Sequence, residues 1–351
     1  MNTILSYLNF RKNISFRQSP FNDCDALLLA ALSGLDLSEA VTEKMSLKLA
    51  WNKYVGLGSR DKNDDHLRDK EFILKTMADS IRYKNVKITD YTKDINFEEE
   101  KTFYGVTFDI SPFLRCVAYR GTDGSLLSWK ENYSTLYEMP TEGQTEASAY
   151  LSKQLTYKNP FKKCYVIGHS KGGNLAVYAA ATQPDVYSKK IKTVFSFDSP
   201  GFINAIEEKE SYGLIKDKIR AFVPVSCVIG NLMNPPYDRF VVNSGGKNLR
   251  QHDIFLWELD CTGFSFAPET DEFSKTLSAK MNNWINSIPL EERKNIVEEL
   301  FSVFSKNDLE HISDLLHLDL KKILGIIMSA ARLSPDAKEF IMIVLKEVKN
   351  M

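Results

Sequence analysis

The run "CYVIGHSKGGNLAVYAA", residues 164–180, restricts what this chain can fold into more than any other stretch. A short apolar segment of strand type leads into glycine, and an alanine-rich segment of helix formers follows. Between them Gly168-His169-Ser170-Lys171-Gly172 fits G-x-S-x-G, a sharp strand-to-helix turn that strains the backbone of its middle residue. Small residues are needed two before and two after the serine, because side chains there would collide with the strand and the helix. Gly173 allows further close packing. Such a turn lifts the Ser170 hydroxyl into solvent at the C-terminal edge of a sheet. The helix N-terminus beneath it favours negative charge that develops there. A glycine-rich turn with an incidental serine is the plainer reading of five residues; strand before and helix after favour a nucleophile. A phosphate loop is excluded, since no G-x-x-x-x-G-K-[ST] is present.

The segments around this turn alternate in the same way. "NVKITDYTKDINFEEEKTFYGVTFDIS", "FLRCVAYRG", "IKTVFSFDSPG", "IRAFVPVS" and "RFVVNS" read as strands, with "FLWELD" closing the series. "EASAYLSKQLTYKN" and "GNLAVYAAATQP" read as helices. Buried-type strands alternating with helices imply an α/β fold with a mostly parallel sheet flanked by helices. Upstream, residues 1–20 read by composition as a lead-in segment. "NDCDALLLAALSGLDL" then predicts a helix capped near Asp23 to Asp25, which favours capping over metal binding for that carboxylate pair. From about Thr270 the periodicity becomes helical, with starts at "PLEER" and "SPDAKEF". The expected organisation is a lead-in (1–20), an α/β domain (21–269) and a C-terminal helical domain (270–351) that serves as lid or interaction surface, or simply packs on the core.

Composition removes several classes of function. With 43% hydrophobic and 26% charged residues over 351 positions, the chain is an ordinary globular protein. A formal net charge of −1 gives no reason to expect nucleic acid or an anionic membrane surface as partner. No apolar run approaches the ~20 residues that span a bilayer, and no export signal is visible at the N-terminus. Cys24, Cys116, Cys164, Cys227 and Cys261 are scattered, with no Cys-x-x-Cys pair, so they read as buried, reduced thiols of a cytoplasmic protein and not as zinc ligands or a disulfide frame. The segment "DKNDDH" loosely matches a calcium loop but carries His66 where glycine belongs and Phe72 where glutamate belongs. His311 and His317 are six apart, the wrong spacing for a helical metal pair. No metal and no organic cofactor is expected.

A serine nucleophile needs a base, an acid and an oxyanion site. Of five histidines, His169 sits inside the turn, His66 precedes the strands, and His311 and His317 belong to the C-terminal helices. His252, in "LRQHDIFLWEL", is the candidate base. One oxyanion donor is the backbone N–H of Lys171. The other falls on the loop after "CVAYRG", where Thr122 offers an N–H and a hydroxyl, although "GTDG" is also simply turn-rich. Asp198, in "VFSFDSPGF", is the candidate acid, at the strand edge where Ser170 emerges, with a turn-forming aspartate the competing reading. Asp253 is badly placed to orient its own neighbour, and Asp238 and Asp260 are remoter options.

Three ordered motifs, "VAYRGTDGSLLSW", "VIGHSKGGNLA" and "FSFDSPGF", resemble the lipase class 3 branch of the α/β hydrolases. More closely, "PFNDCDALLLAALSGLDL", the turn, and "VVNSGGKNLRQHDIFLWEL" resemble the bacterial Mbeg-like proteins, a domain of unknown function. The resemblance implies an α/β-hydrolase fold and carboxylic ester hydrolysis, with Ser170 as nucleophile, Thr122 in the oxyanion site and His252 as base. The chain departs at the acid. In class 3 lipases it follows the next strand, where this sequence reads "FVPVSCVIGNLM" with Ser226 at that place. Either Asp198 substitutes, much as in the L-D-P turn of pancreatic-type lipases, or the site is a dyad, or it is impaired.

The expected activity is hydrolysis of a small-molecule or lipid ester through Ser170, His252 and Asp198. The alternative is a catalytically weak or inactive hydrolase fold used as a binding or scaffold protein.

Overall fold

A computed structural model of the chain describes residues 2–58, 66–98, 100–156, 159, 161–306, 333–335 and 338. The strands are β1 (Met45–Ser46), β2 (Lys87–Asn96), β3 (Lys101–Ser111), β4 (Leu114–Tyr119), β5 (Lys163–His169), β6 (Ile191–Phe197), β7 (Ile219–Pro224) and β8 (Arg239–Val242). The helices are α1 (Ile4–Arg11), α2 (Asp23–Ser33), α3 (Leu47–Leu57), α4 (Leu67–Asp79), α5 (Leu126–Ser134), α6 (Glu142–Leu155), α7 (Lys171–Ala181), α8 (Asp185–Ser188), α9 (Tyr212–Ile215), α10 (Glu272–Ser287) and α11 (Leu290–Ser305).

All eight strands join one sheet in strict sequence order. The first four pair antiparallel through a β2–β3 hairpin, and β4 to β8 pair parallel. Alternation along each strand sorts its side chains between two cores. Val117, Tyr119, Cys164, Val166 and Val194 face α6, α7 and α9, meeting Leu151, Leu175 and Ile215. Cys116, Ala118, Tyr165, Ile167, Phe195 and Phe197 face the other way, onto Leu27, Ala50, Ile73 and Trp257. The order explains the division. Each parallel crossover steps in the same direction, and right-handed crossovers then lay their helices on one face. The N-terminal helices cover the other. This is the α/β-hydrolase layout, with the serine turn between β5 and α7.

Several local expectations change in detail. The 1–20 segment carries α1, whose Ile4, Tyr7 and Leu8 are fully buried. The cap of α2 is Asn22, one residue earlier than expected, in a reciprocal capping box with Asp25. Both nearby carboxylates are engaged by arginines: Asp25 by Arg82 at 2.8 Å and Asp23 by Arg220 at 2.9 Å. "FLWELD" does not form a strand. Asp253 accepts from Phe255 N at 2.9 Å and turns residues Ile254–Leu256 into a 3₁₀ turn, leaving isolated bridges Ser244–Trp257 and Leu259–Phe264.

Helices α10 and α11 dock on α5. Ile285, Ile296 and Leu300 pack with Leu126 and Leu136, Lys130 pairs with Glu298 at 2.7 Å, and Arg293 donates to the Leu136 carbonyl at 3.0 Å. His311 and His317, and all of the "DKNDDH" segment except His66, lie outside the described residues. Cys24, Cys116, Cys164, Cys227 and Cys261 are free thiols; the first four are buried, but Cys261, in the turn after Asp260, is exposed, contrary to the expected burial.

Candidate active site

Ser170 follows the last residue of β5 and precedes the first of α7, with φ 56° and ψ −129°. A non-glycine residue in this region costs about 1–3 kcal/mol and persists only where its surroundings over-determine it. They do so here. Ser170 N donates to Phe197 O at 2.9 Å, and its carbonyl accepts from Gly173 N at 3.0 Å and Asn174 N at 3.3 Å, closing the first turn of α7. A Cβ at Gly168 would strike the Gly172 carbonyl, and one at Gly172 the Tyr119 carbonyl, so neither position admits a side chain.

Asp198 follows β6 and is also at positive φ, 43°. Its N–H donates to Phe222 O at 2.7 Å. The carboxylate is 1% exposed, and each oxygen has a job. Oδ1 accepts from Gly230 N at 3.1 Å and from Cys227 Sγ at 3.2 Å; Oδ2 lies 2.6 Å from His252 Nδ1. Burial, and Asp198 beside it, push the Cys227 thiol well above the ordinary cysteine value, so it stays protonated.

His252 ends the 3₁₀ turn Asn248–His252, which is tied down at several points. Gln251 Oε1 accepts from Ser226 N at 2.8 Å, Gln251 Nε2 donates to Gly246 O at 3.1 Å, and Trp257 Nε1 donates to the Gln251 carbonyl at 2.8 Å. Asp253 turns away from His252 and pairs with His66 Nε2 at 3.0 Å, while the His66 ring stacks on Phe255 at 4.4 Å. The Asp253 hydrogen bond raises the His66 pKa against the effect of burial. Asp238 is exposed, and Asp260 accepts from Thr262 and Gly263 within its own turn. Ser226, at the place where the resemblance puts the acid, gives its hydroxyl to Asp271. Of the acidic candidates, only Asp198 meets the His252 ring.

The loop after β4 reaches the same edge. Gly121 presses on the turn, with no room for a Cβ against the His169 carbonyl and the Ser170 Cβ close by. Thr122 Oγ1 is buried with no hydrogen-bond partner among the described residues. Asp123 accepts from Ser125 N at 3.1 Å, and Ser125 caps α5 by accepting from Ser128 N at 3.2 Å, which fixes the loop's far end.

The side chain of Lys171 is the part sequence reasoning missed. It is 4% exposed, donates to Thr102 O at 2.8 Å and Thr102 Oγ1 at 2.9 Å, and pairs with the equally buried Glu131 carboxylate. A lysine inside a helix whose every residue is buried is the signal that a partner must exist. Which residue it is cannot be read locally. Among the described residues no group of three or more metal-ligating side chains could hold an ion, and no helix is long and apolar enough to cross a membrane.

A family model described as Mbeg1-like matches residues 77–302. The chain belongs to the Mbeg1-like family. The match takes in Thr122, Ser170, Asp198 and His252 and leaves α1, α2 and α3 outside. Among curated proteins, none matches the chain. Solved structures similar to this family member include three lipases. A deletion mutant of the Rhizomucor miehei lipase with its propeptide is 13% identical, with TM-score 0.42, covering 73% of this chain and 76% of that one. The lipase from Rhizopus microsporus var. chinensis is 14% identical, with TM-score 0.37, over 73% of this chain and 84% of that one. M37 lipase is 13% identical, with TM-score 0.36, over 60% and 69%.

Proposed function

We propose that this Mbeg1-like protein is a serine hydrolase acting on carboxylic esters. The observation that carries the reading is the 2.6 Å hydrogen bond from His252 Nδ1 to buried Asp198, at the sheet edge where Ser170 stands in strained geometry. With Nδ1 committed to the carboxylate, Nε2 is the nitrogen that takes the Ser170 proton as Oγ attacks the ester carbonyl. Asp198 fixes the tautomer and stabilises the imidazolium that forms. The Lys171 N–H, at the start of α7, and the Thr122 N–H and hydroxyl receive the oxyanion. His252 then protonates the leaving alcohol, and a water activated by the same imidazole releases the acid from the acyl-enzyme. The lipid or acyl nature of the substrate rests on the resemblance of three sequence motifs to class 3 lipases.

The competing reading is a catalytically weak or inactive hydrolase fold used as a binding or scaffold protein. A fluorophosphonate probe separates the readings. Labelling of the wild type, its loss in Ser170→Ala, and turnover of p-nitrophenyl esters from acetate to palmitate support the hydrolase. A folded wild type that neither labels nor turns over any ester sinks it.

A further inference from the structure

The nucleophile's preceding neighbour faces the base. We propose that His169 is a positioning residue for His252: its imidazole, held in the Nε2–H tautomer, fixes the backbone of the base and lies against its ring as an uncharged wall. The kinetic part rests on the serine-hydrolase reading; the structural part does not.

His169 is the last residue of β5, paired in register with Phe197 of β6, so its backbone is set by the sheet. Its Nε2 lies 2.9 Å from the His252 carbonyl oxygen. A carbonyl only accepts, so Nε2 carries the hydrogen and Nδ1 is bare. The two rings sit 4.6 Å apart at 35°. His252 is therefore gripped twice, by Asp198 on its ring and by His169 on its main chain. The second grip matters because His252 sits in a 3₁₀ turn and not in a strand, and residues outside regular elements need added ties to stay aimed.

Burial sets the charge. Loss of water around His169, followed by the neighbouring His252, brings its pKa down to about 3; Asp198, the hydrogen bond to the His252 carbonyl and Asp253 pull the opposite way and are outweighed. When His252 gains a proton during the reaction, the ring against it stays neutral.

The test compares wild type, His169→Phe and His169→Gln. Phenylalanine keeps a ring but removes the donor; glutamine offers an amide N–H at about the reach of Nε2. On p-nitrophenyl butyrate, His169→Phe is expected to lower kcat by up to ~100-fold, to leave KM nearly unchanged and to move the acid limb of the kcat profile. His169→Gln is expected to recover most of the loss. Histidine ¹⁵N spectra of the wild type are expected to show His169 as a neutral Nε2–H ring down to pH about 4. A His169 that titrates near 6.5, or that carries its proton on Nδ1, overturns the inference. So does a folded His169→Phe with wild-type kcat and pH profile. If His169→Phe does not fold, the wild-type spectra decide alone. If the wild type hydrolyses no ester, the hydrolase reading falls, and the spectra still judge the positioning role.

Discussion

A hydroxyl buried without a partner costs roughly 1–3 kcal/mol, and Thr122 Oγ1 is such a group, on the loop whose Gly121 presses on the serine turn. Removing it should therefore relieve the resting protein while harming a reaction that uses it. Thr122→Val is expected to leave the urea midpoint unchanged or raised, and to lower kcat by about 10²-fold. A destabilised but fully active Thr122→Val protein would remove the hydroxyl from the oxyanion site. Asp198 behaves differently, because both its oxygens are in use. Asp198→Asn is expected to cost up to ~10⁴-fold in kcat by unsettling the His252 tautomer. Near-wild-type turnover of that variant would take Asp198 out of the mechanism.

Among elements, the turn and α5 are locked by a charge pair in the interior. Lys171 and Glu131 are each 4% exposed. Lys171→Met leaves Glu131 as an uncompensated buried carboxylate and is expected to cost about 3–5 kcal/mol in urea unfolding. Lys171→Met with Glu131→Gln should lose much less than the two single changes added together. Strict additivity would mean the pair is not coupled. This lock marks the limit of what the sequence discloses. The serine turn is legible because its sterics are local: Gly168 and Gly172 lie two residues from Ser170, and nothing larger fits. Asp198 is half legible. A strand ending beside the turn's strand must bring its last residue to the same edge, but only the fold turns Asp253 away from His252 and toward His66. The partner of Lys171 lies 40 residues away on a helix with no distinguishing motif, so no pattern announces it. The closing strand fails for a similar reason: "FLWELD" has strand composition, yet one side-chain cap from Asp253 diverts its backbone.

Over the whole molecule, two histidines around the His252 turn tie stability to pH in opposite senses. His169 has a folded value of about 3 against an ordinary value of 6.5. Its contribution is complete above about 6.5 and is lost as pH falls toward 3, because the unfolded chain takes up a proton the folded one refuses. The folded value of His66 is raised by Asp253. Its contribution is complete below about 6.5 and is lost as pH climbs through the raised value. Thermal melts across pH 4–9 should show both limbs. His169→Gln is expected to flatten the acid limb and His66→Gln the limb above neutrality; melts of either variant parallel to wild type at all pH would contradict these assignments.

The sheet's unidirectional order carries a practical warning for anyone who trims the chain to its recognised family span. Residues before 77 supply α1, α2, α3 and most of α4, which roof one side of the sheet. No crossover helix is on hand to replace them. A fragment beginning at 77 would show water Cys116, Ala118, Tyr165 and Ile167 as one greasy plane, directly behind the serine turn. It should clump rather than refold, whatever the chemistry of its active edge.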